Sequence, residues 1–167
     1  MIKFHGSIQD FWSKDLESYS FPGRYSAGQR DHFHINYSKQ NNDLPQGFDD
    51  QLPCGDQFFK ALDVSQGTMS WTCVEPGQVI PVHTDGFYKL KTQYNVDVGD
   101  CVRYLIFLQD WTFGHCVEFE ETIITKWSKG DVWIFDHQSA HYAANASNVN
   151  FVTCQVNTVV NNRQEIV

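Results

Sequence analysis

Glu75-Pro76-Gly77-Gln78, followed by Val79-Ile80-Pro81-Val82-His83-Thr84-Asp85, is the stretch on which the fold turns. Pro76 and Gly77 stand where a tight reversal needs one fixed φ and one residue tolerant of positive φ. Val79 to His83 then reads as a strand. Pro81 donates no ladder hydrogen bond, which places this strand at a sheet edge or at its own start. Side chains at i and i+2 share a face of a strand, so His83 and Asp85 can reach one metal together. Two imidazoles and one carboxylate can occupy a triangular face of an octahedral ion and leave three positions open, the 2-His-1-carboxylate pattern of non-haem Fe(II) sites. The second imidazole is His141, 56 positions after Asp85. An H-x-D triplet alone equally fits an ordinary surface or core histidine, so its surroundings decide.

Outward from this stretch the texture is period-2 strands separated by turns. Thr68 to Cys73 alternates polar and apolar. Cys101 to Leu108 is a nearly continuous apolar run broken by Arg103. His115–Glu120, Thr122–Lys126, Asp131–Phe135, Ala140–Ala143 and Asn150–Val160 complete about eight short strands. This predicts a mainly β fold, a sandwich or barrel, with the jelly roll as the natural eight-strand form. Residues 86–100 read as a long mixed loop, placed after the ligand strand where a lid would sit. Residues 1–65 read as a helical and irregular support. A short helix is expected over Asp10–Tyr19, a helical turn over Gln57–Asp63, and loops at 41–47 and 52–55. No linker splits the chain, so residues 1–167 are expected to form one domain with a β core over 67–160.

The chain has 167 residues, 15% aromatic and 41% apolar, with a net charge of −8. This suits a globular domain rather than a disordered one. No basic stripe accompanies the acidic balance, which argues against nucleic acid as a partner. No apolar run reaches membrane-spanning length, and the first residues do not resemble a secretory leader. The five cysteines are odd in number and scattered, without C-x-x-C. They read as free thiols in a reducing, cytoplasmic setting.

Gly77 lies six residues before His83, and Gly130 eleven before His141, with Asn145 four residues later. These spacings resemble the paired-strand motifs of the cupin and double-stranded β-helix superfamily. Each histidine follows a hairpin whose turn needs positive φ. Asp85 stands where a cupin has a second histidine, and no glutamate follows at the cupin spacing. The run Pro81-Val82-His83-Thr84-Asp85, Arg103 to Leu108, Trp127-Ser128-Lys129-Gly130-Asp131 to Asp136, and His141 to Ser147 resembles the Fe(II)/2-oxoglutarate oxygenases. It is similar in particular to aspartyl/asparaginyl β-hydroxylase-like and small prolyl-hydroxylase-like members, including phage and marine microbial ones. The resemblance covers about residues 67–160.

The resemblance implies Fe(II) held by His83, Asp85 and His141, and 2-oxoglutarate as co-substrate. With O2 it implies hydroxylation of a peptidyl residue or a small amino-acid-like molecule, giving succinate and CO2. Many family members carry an Arg about ten residues after the distal histidine for the co-substrate's far carboxylate. Here Phe151 stands there, with Thr153 and Gln155 next on the same face. Arg103 is the alternative, because a guanidinium fork matches a carboxylate and a lone charge in an apolar strand needs a partner. It could instead pair with Glu118 or Glu120 across the sheet. Tyr94, Asn145, Thr153 and Asn157 are candidates to complete the pocket. Arg24, Arg30, Arg163, Lys89, Lys91 and Lys126 are further cations. Asp31-His32-Phe33-His34 reads as surface or hairpin, His115 and His137 as turn or supporting residues, and Trp127, Trp133 and Phe135 as core. The missing Arg keeps two other readings open: a cupin-like metalloenzyme that does not use 2-oxoglutarate, and a metal-retaining binding module. Edge strands would admit a homodimer.

Overall fold

The computed structural model describes residues 1–21, 23–24, 45–48 and 52–160, with 23–24 and 45–48 described as backbone. His32, His34, Arg30, Arg163 and the loop signal at 41–44 lie outside the described residues. The elements in chain order are β1 (Ile2–Ser7), α1 (Ser13–Ser18), β2 (Gly23–Arg24), β3 (Pro45–Phe48), α2 (Gly55–Ala61), β4 (Gly67–Val74), β5 (Val79–His83) and α3 (Tyr88–Tyr94). A 3-10 turn (Val98–Asp100) follows, then β6 (Cys101–Phe107), β7 (His115–Phe119), β8 (Thr122–Ile124), β9 (Asp131–Asp136), β10 (His141–Asn145) and β11 (Phe151–Val159).

The strands form two antiparallel sheets, ordered β1-β9-β6-β11-β4-β3-β2 and β5-β10-β7-β8. Their inner faces meet in one core. Val74, Leu105, Phe107, Phe135 and Phe151 come from the large sheet, and Val117, Phe119, Ile124 and Ala143 from the small one. The large sheet is also covered on its outer face. There Met69, Trp71, Cys73, Ile106, Val132, Cys154 and Val156 meet Trp12, Phe58 and Leu62. Trp12 is fully buried, and its Nε1 donates to the Leu108 carbonyl at 2.9 Å. A sheet buried on both faces has no solvent side, so its apolar residues need not alternate with water-facing ones. β11 shows this, being buried continuously from Phe151 to Asn157.

The expected mainly β architecture is what the chain adopts. The strand bounds shift by a residue or two, as element ends do. Three readings are corrected. Residues 86–100 are not a plain loop, since α3 and the 3-10 turn lie within them. Their helical register shows only once Leu90 is seen buried on one side. Residues 1–65 are not only helical support, because β1 pairs antiparallel with β9 along the edge of the large sheet. The loop signal ending at Gly47 overlaps β3, which pairs with β4. The expected helix over Asp10–Tyr19 is shorter. Asp10 Oδ1 accepts from the backbone N–H groups of Trp12 and Ser13, and the helix starts after that turn.

Gly130 turns the chain into β9 at φ +93, and a Cβ there would lie 2.3 Å from the Ile8 carbonyl oxygen. Gly77 has φ +81 with open space around it. Gly130→Ala should therefore cost about 2–4 kcal/mol, strain plus backbone displacement, and Gly77→Ala about 1 kcal/mol. Urea midpoints compared with the parent protein check both values. Among the described residues, no helix is long and apolar enough to cross a membrane.

Candidate metal centre

β5 and β10 are neighbours in the small sheet, and His83 stands directly opposite His141 in their register. Asp85 follows His83 just beyond the strand end. His83 Nε2 lies 3.7 Å from Asp85 Oδ1, and His141 Nε2 lies 3.9 Å from Asp85 Oδ2. Among the described residues these three form a group whose ligand atoms all fall within 4.8 Å of one another. All three side chains are about nine-tenths buried.

The two rings are oriented in the same way. His83 Nδ1 donates to the Pro81 carbonyl at 2.7 Å, and His141 Nδ1 to the Ser139 carbonyl at 2.9 Å. A carbonyl only accepts, so each proton sits on Nδ1 and each Nε2 presents a lone pair toward Asp85. This backbone tie is the usual way a metal-binding imidazole is held in one tautomer. Burial lowers both histidines. His83 falls to about 4, by burial first and then by His141, against the raising effect of Asp85. His141 is lowered by burial, again opposed by Asp85. Neutral imidazoles beside a carboxylate are the protonation states that a metal requires, and two nitrogens plus one carboxylate oxygen suit a non-haem Fe(II) ion. The residues present therefore fit the metal that the triplet implies.

The same shifts set a pH dependence for the metal-free protein. A histidine depressed in the folded state takes its proton more readily when unfolded. Stability is therefore full above the unfolded value near 6.5 and is lost as pH falls toward the folded value. His83 alone should contribute a loss of about 2 kcal/mol between pH 6.5 and 5, with His141 and His115 adding in the same direction. Chemical denaturation at stepped pH checks this. An apparent stability rising on acidification over that window would contradict it.

Arg103 lies beside the triad. Its Nη1 is 2.9 Å from Asp85 Oδ2, and its Nε donates to Asn157 Oδ1 at 2.7 Å. Asn157 Nδ2 in turn donates to Thr68 Oγ1 at 3.2 Å. These residues are cross-strand partners on β6, β11 and β4. The guanidinium also lies over the Phe87 ring, 5.6 Å from its centroid. The pairing of Arg103 with Glu118 or Glu120 is not what forms. Glu118 accepts from Tyr142 instead, while Arg103 points into the space between the sheets.

That space is a cavity of about 640 Å³. Val74, Ile80, Leu105, Val117, Phe135, Ala143 and Phe151 make its apolar walls, and α3 contributes Tyr88, Lys89 and Leu90. Ser70, Thr72, Thr153 and Gln155 form a neutral polar strip along β4 and β11. Gln155 Oε1 accepts from Ser70 and Thr72. Thr68, Ser70 and Thr72 were legible as an alternating polar row, yet alternation normally places polar groups in water. Here they face inward, because the outer face carries Met69, Trp71 and Cys73 under the N-terminal helices.

No family model matches the chain, and no curated protein does. Solved structures do match. EvdMO1 is 14% identical with a TM-score of 0.60, over 96% of this chain and 47% of that one. The chain thus spans about half the length of EvdMO1. AviO1 from Streptomyces viridochromogenes Tue57 is 14% identical with a TM-score of 0.59, over 96% and 90%. SnoK from nogalamycin biosynthesis, a non-haem alpha-ketoglutarate-dependent carbocyclase, is 13% identical with a TM-score of 0.56, over 86% and 70%. Such identities speak for the fold. The fold is a double-stranded β-helix.

Within this double-stranded β-helix the remaining candidate residues divide. Thr153 and Asn157 line the cavity. Tyr94 does not; its hydroxyl donates to the Gly67 carbonyl, and its ring packs beside Phe87, Leu90 and Cys101. Asn145 does not either. Its amide donates to the Val74 and Val149 carbonyls, and its carbonyl accepts from Ser147. It braces the turn between β10 and β11. His115 is buried, stacked on Phe151, with Nε2 at 2.9 Å from Ser147 Oγ. Trp127 and Phe135 are buried core residues and Trp133 is partly buried against them. The five cysteines are free thiols.

Proposed function

We propose that the protein is a non-haem Fe(II)- and 2-oxoglutarate-dependent oxygenase that hydroxylates a small molecule or a peptidyl residue. One observation carries this reading. His83, Asp85 and His141 meet with both Nε2 lone pairs turned inward, in the same cavity as a buried-side guanidinium. The likeness of the fold to SnoK supports it.

His83, His141 and Asp85 would hold the metal. Fe(II) with 2-oxoglutarate supplies, when bound, the oxidising power for C–H hydroxylation, with succinate and CO2 as co-products. The protein's own part is to bind, orient and exclude. The Pro81 and Ser139 carbonyls keep the two rings in the binding tautomer. Arg103 is the cation beside the ligands. Its Nη2 carries no hydrogen bond among the described residues and is available to a carboxylate, for which a planar fork is suited. Leu105, Val117, Phe135 and Phe151 keep the far end of the cavity apolar, where electrostatic contacts gain strength. α3 stands over the cavity with Tyr88 and Lys89.

A specific observation favours a second reading, a metal-dependent cupin-like enzyme that does not use 2-oxoglutarate. The inner face of β11 presents Phe151, Thr153, Gln155 and Asn157, with no cation, and Arg103 is already engaged by Asp85. Turnover separates the two readings. In air, the Fe(II)-loaded protein should convert 2-oxoglutarate slowly to succinate without a prime substrate, and Asp85→Ala should not. Succinate formation equal to that of a protein-free Fe(II) control would remove the oxoacid from the reading.

A further inference from the structure

The neutral polar strip along β4 and β11 has more donors than acceptors. Gln155 Oε1 accepts from Ser70 Oγ at 2.9 Å and from Thr72 Oγ1 at 3.0 Å. Gln155 Nε2 donates to Thr153 Oγ1. An amide nitrogen carries two protons and a hydroxyl one. The second N–H of Gln155 and the hydroxyl proton of Thr153 therefore meet no acceptor among the described residues. Gln155 is 6% exposed and Thr153 5%, and both line the cavity. Their places follow from register. Gln155 stands between Ser70 and Leu105, and Thr153 between Thr72 and Phe107. Residues i and i+2 share a strand face, so both donors open onto the same cavity. A buried donor without an acceptor is costly, and a bound group that accepts removes that cost.

The surroundings decide which acceptor fits. No cavity-lining side chain of β4 or β11 is charged, and Leu105, Val117 and Phe151 add apolar surface. Arg103 belongs to the Asn157 row, roughly 7 Å further along β11, and Lys89 stands on α3. A carboxylate on the strip would leave water with no countercharge on either strand. An uncharged carbonyl oxygen loses less on leaving water, and its two lone pairs match the two donors. We infer that Gln155 and Thr153 are specificity-determining residues that receive an uncharged carbonyl of the substrate, an amide, lactam or ketone on a largely apolar body. The inference deepens the function proposed above and rests on its reading of the cavity as the substrate site.

Cyclohexanecarboxamide and cyclohexanecarboxylate are the probes, alike in shape and different in charge. Each is titrated into isotope-labelled protein, without iron or 2-oxoglutarate, and followed by nuclear magnetic resonance at the Gln155 side-chain amide. The carboxamide should bind with a Kd of about 1 mM, as suits a ligand of its size, and should move the Gln155 N–H signals. The carboxylate should bind at least about fivefold more weakly. Gln155→Leu should weaken carboxamide binding by about fivefold, the worth of one hydrogen bond. That change also leaves Ser70 and Thr72 without their acceptor. Thr153→Val, which removes one hydroxyl at nearly constant shape, is the second variant and should weaken binding by about threefold. If neither variant folds by circular dichroism, the parent titrations decide alone. A smaller difference between the two probes overturns the inference. So does carboxamide binding that leaves the Gln155 signals in place or is unaltered in a folded Gln155→Leu, and so does no carboxamide binding up to about 10 mM. None of these outcomes involves a metal. Absent Fe(II) binding or absent succinate formation would instead sink the oxygenase reading, a separate result.

Discussion

Alanine at His141 is expected to weaken Fe(II) binding by roughly a hundredfold or more, beyond the range seen for groups that merely support a ligand, and to abolish turnover dependent on the metal. His141 is the distal member of the triad and the one supplied by a different hairpin from His83 and Asp85. Its ring also packs, lying 5.2 Å from Phe119 and 4.8 Å from Phe135. His141→Ala should thus lose some stability as well, and His141→Gln, closer in size, serves to separate the two effects. Metal content after dialysis and an anaerobic Fe(II) titration check the affinity, with circular dichroism checking the fold. His115→Ala is the comparison. His115 is another buried histidine, but its Nε2 is committed to Ser147, so metal binding should survive that change. Retained metal affinity in His141→Gln and His141→Ala alike would remove His141 from the site.

Phe107→Ala should be the most damaging core substitution, at about 3–5 kcal/mol. The ring is fully buried and stacks on Trp127 at 4.0 Å, with the planes 12° apart. It also faces Phe151 at 6.1 Å. The loss removes transfer energy and leaves a cavity that the surrounding strands cannot close, because both sheets are held by their ladders. At about 2–4 °C per kcal/mol for a chain of this size, the melting temperature should fall by roughly 10 °C or more. Phe107 is not part of the cavity lining. Below the new transition, Fe(II) affinity should remain near that of the parent protein. A drop in affinity as large as that of His141→Ala would mean that the centre is held up by the aromatic stack rather than by the β5 and β10 backbone.

The β core was legible because its signals are local. Gly77 and Gly130 each needed positive φ, and each has it. Pro81 reads as an edge residue, and β5 is an edge strand. The i, i+2 spacing of His83 and Asp85 placed them on one side, and His141 lies opposite in register. What was not legible depends on long-range placement. β1 has an unremarkable sequence, and its pairing with β9 could not be read from either strand alone. The inward turn of Thr68, Ser70 and Thr72 reverses the usual sense of alternation, and it follows from a cover of the outer face supplied by Trp12 and Phe58 in the N-terminal third. Arg103 stood out as a lone charge, but its partner did not. Asp85 is 18 positions away in sequence, and the hydrogen bond from Arg103 to Asn157 appears only when β6 and β11 are aligned. Tyr94 and Asn145 were reasonable donors for a pocket, yet the chain uses them to brace its own turns.

The most direct test of the central claim is an absorption spectrum recorded without oxygen. Fe(II) is added to the metal-free protein, then 2-oxoglutarate. A visible metal-to-ligand charge-transfer band should appear that needs both additions and is missing in His83→Ala. Fe(II) bound in full with no such band after 2-oxoglutarate would contradict the oxygenase assignment and leave the cupin-like metalloenzyme in its place.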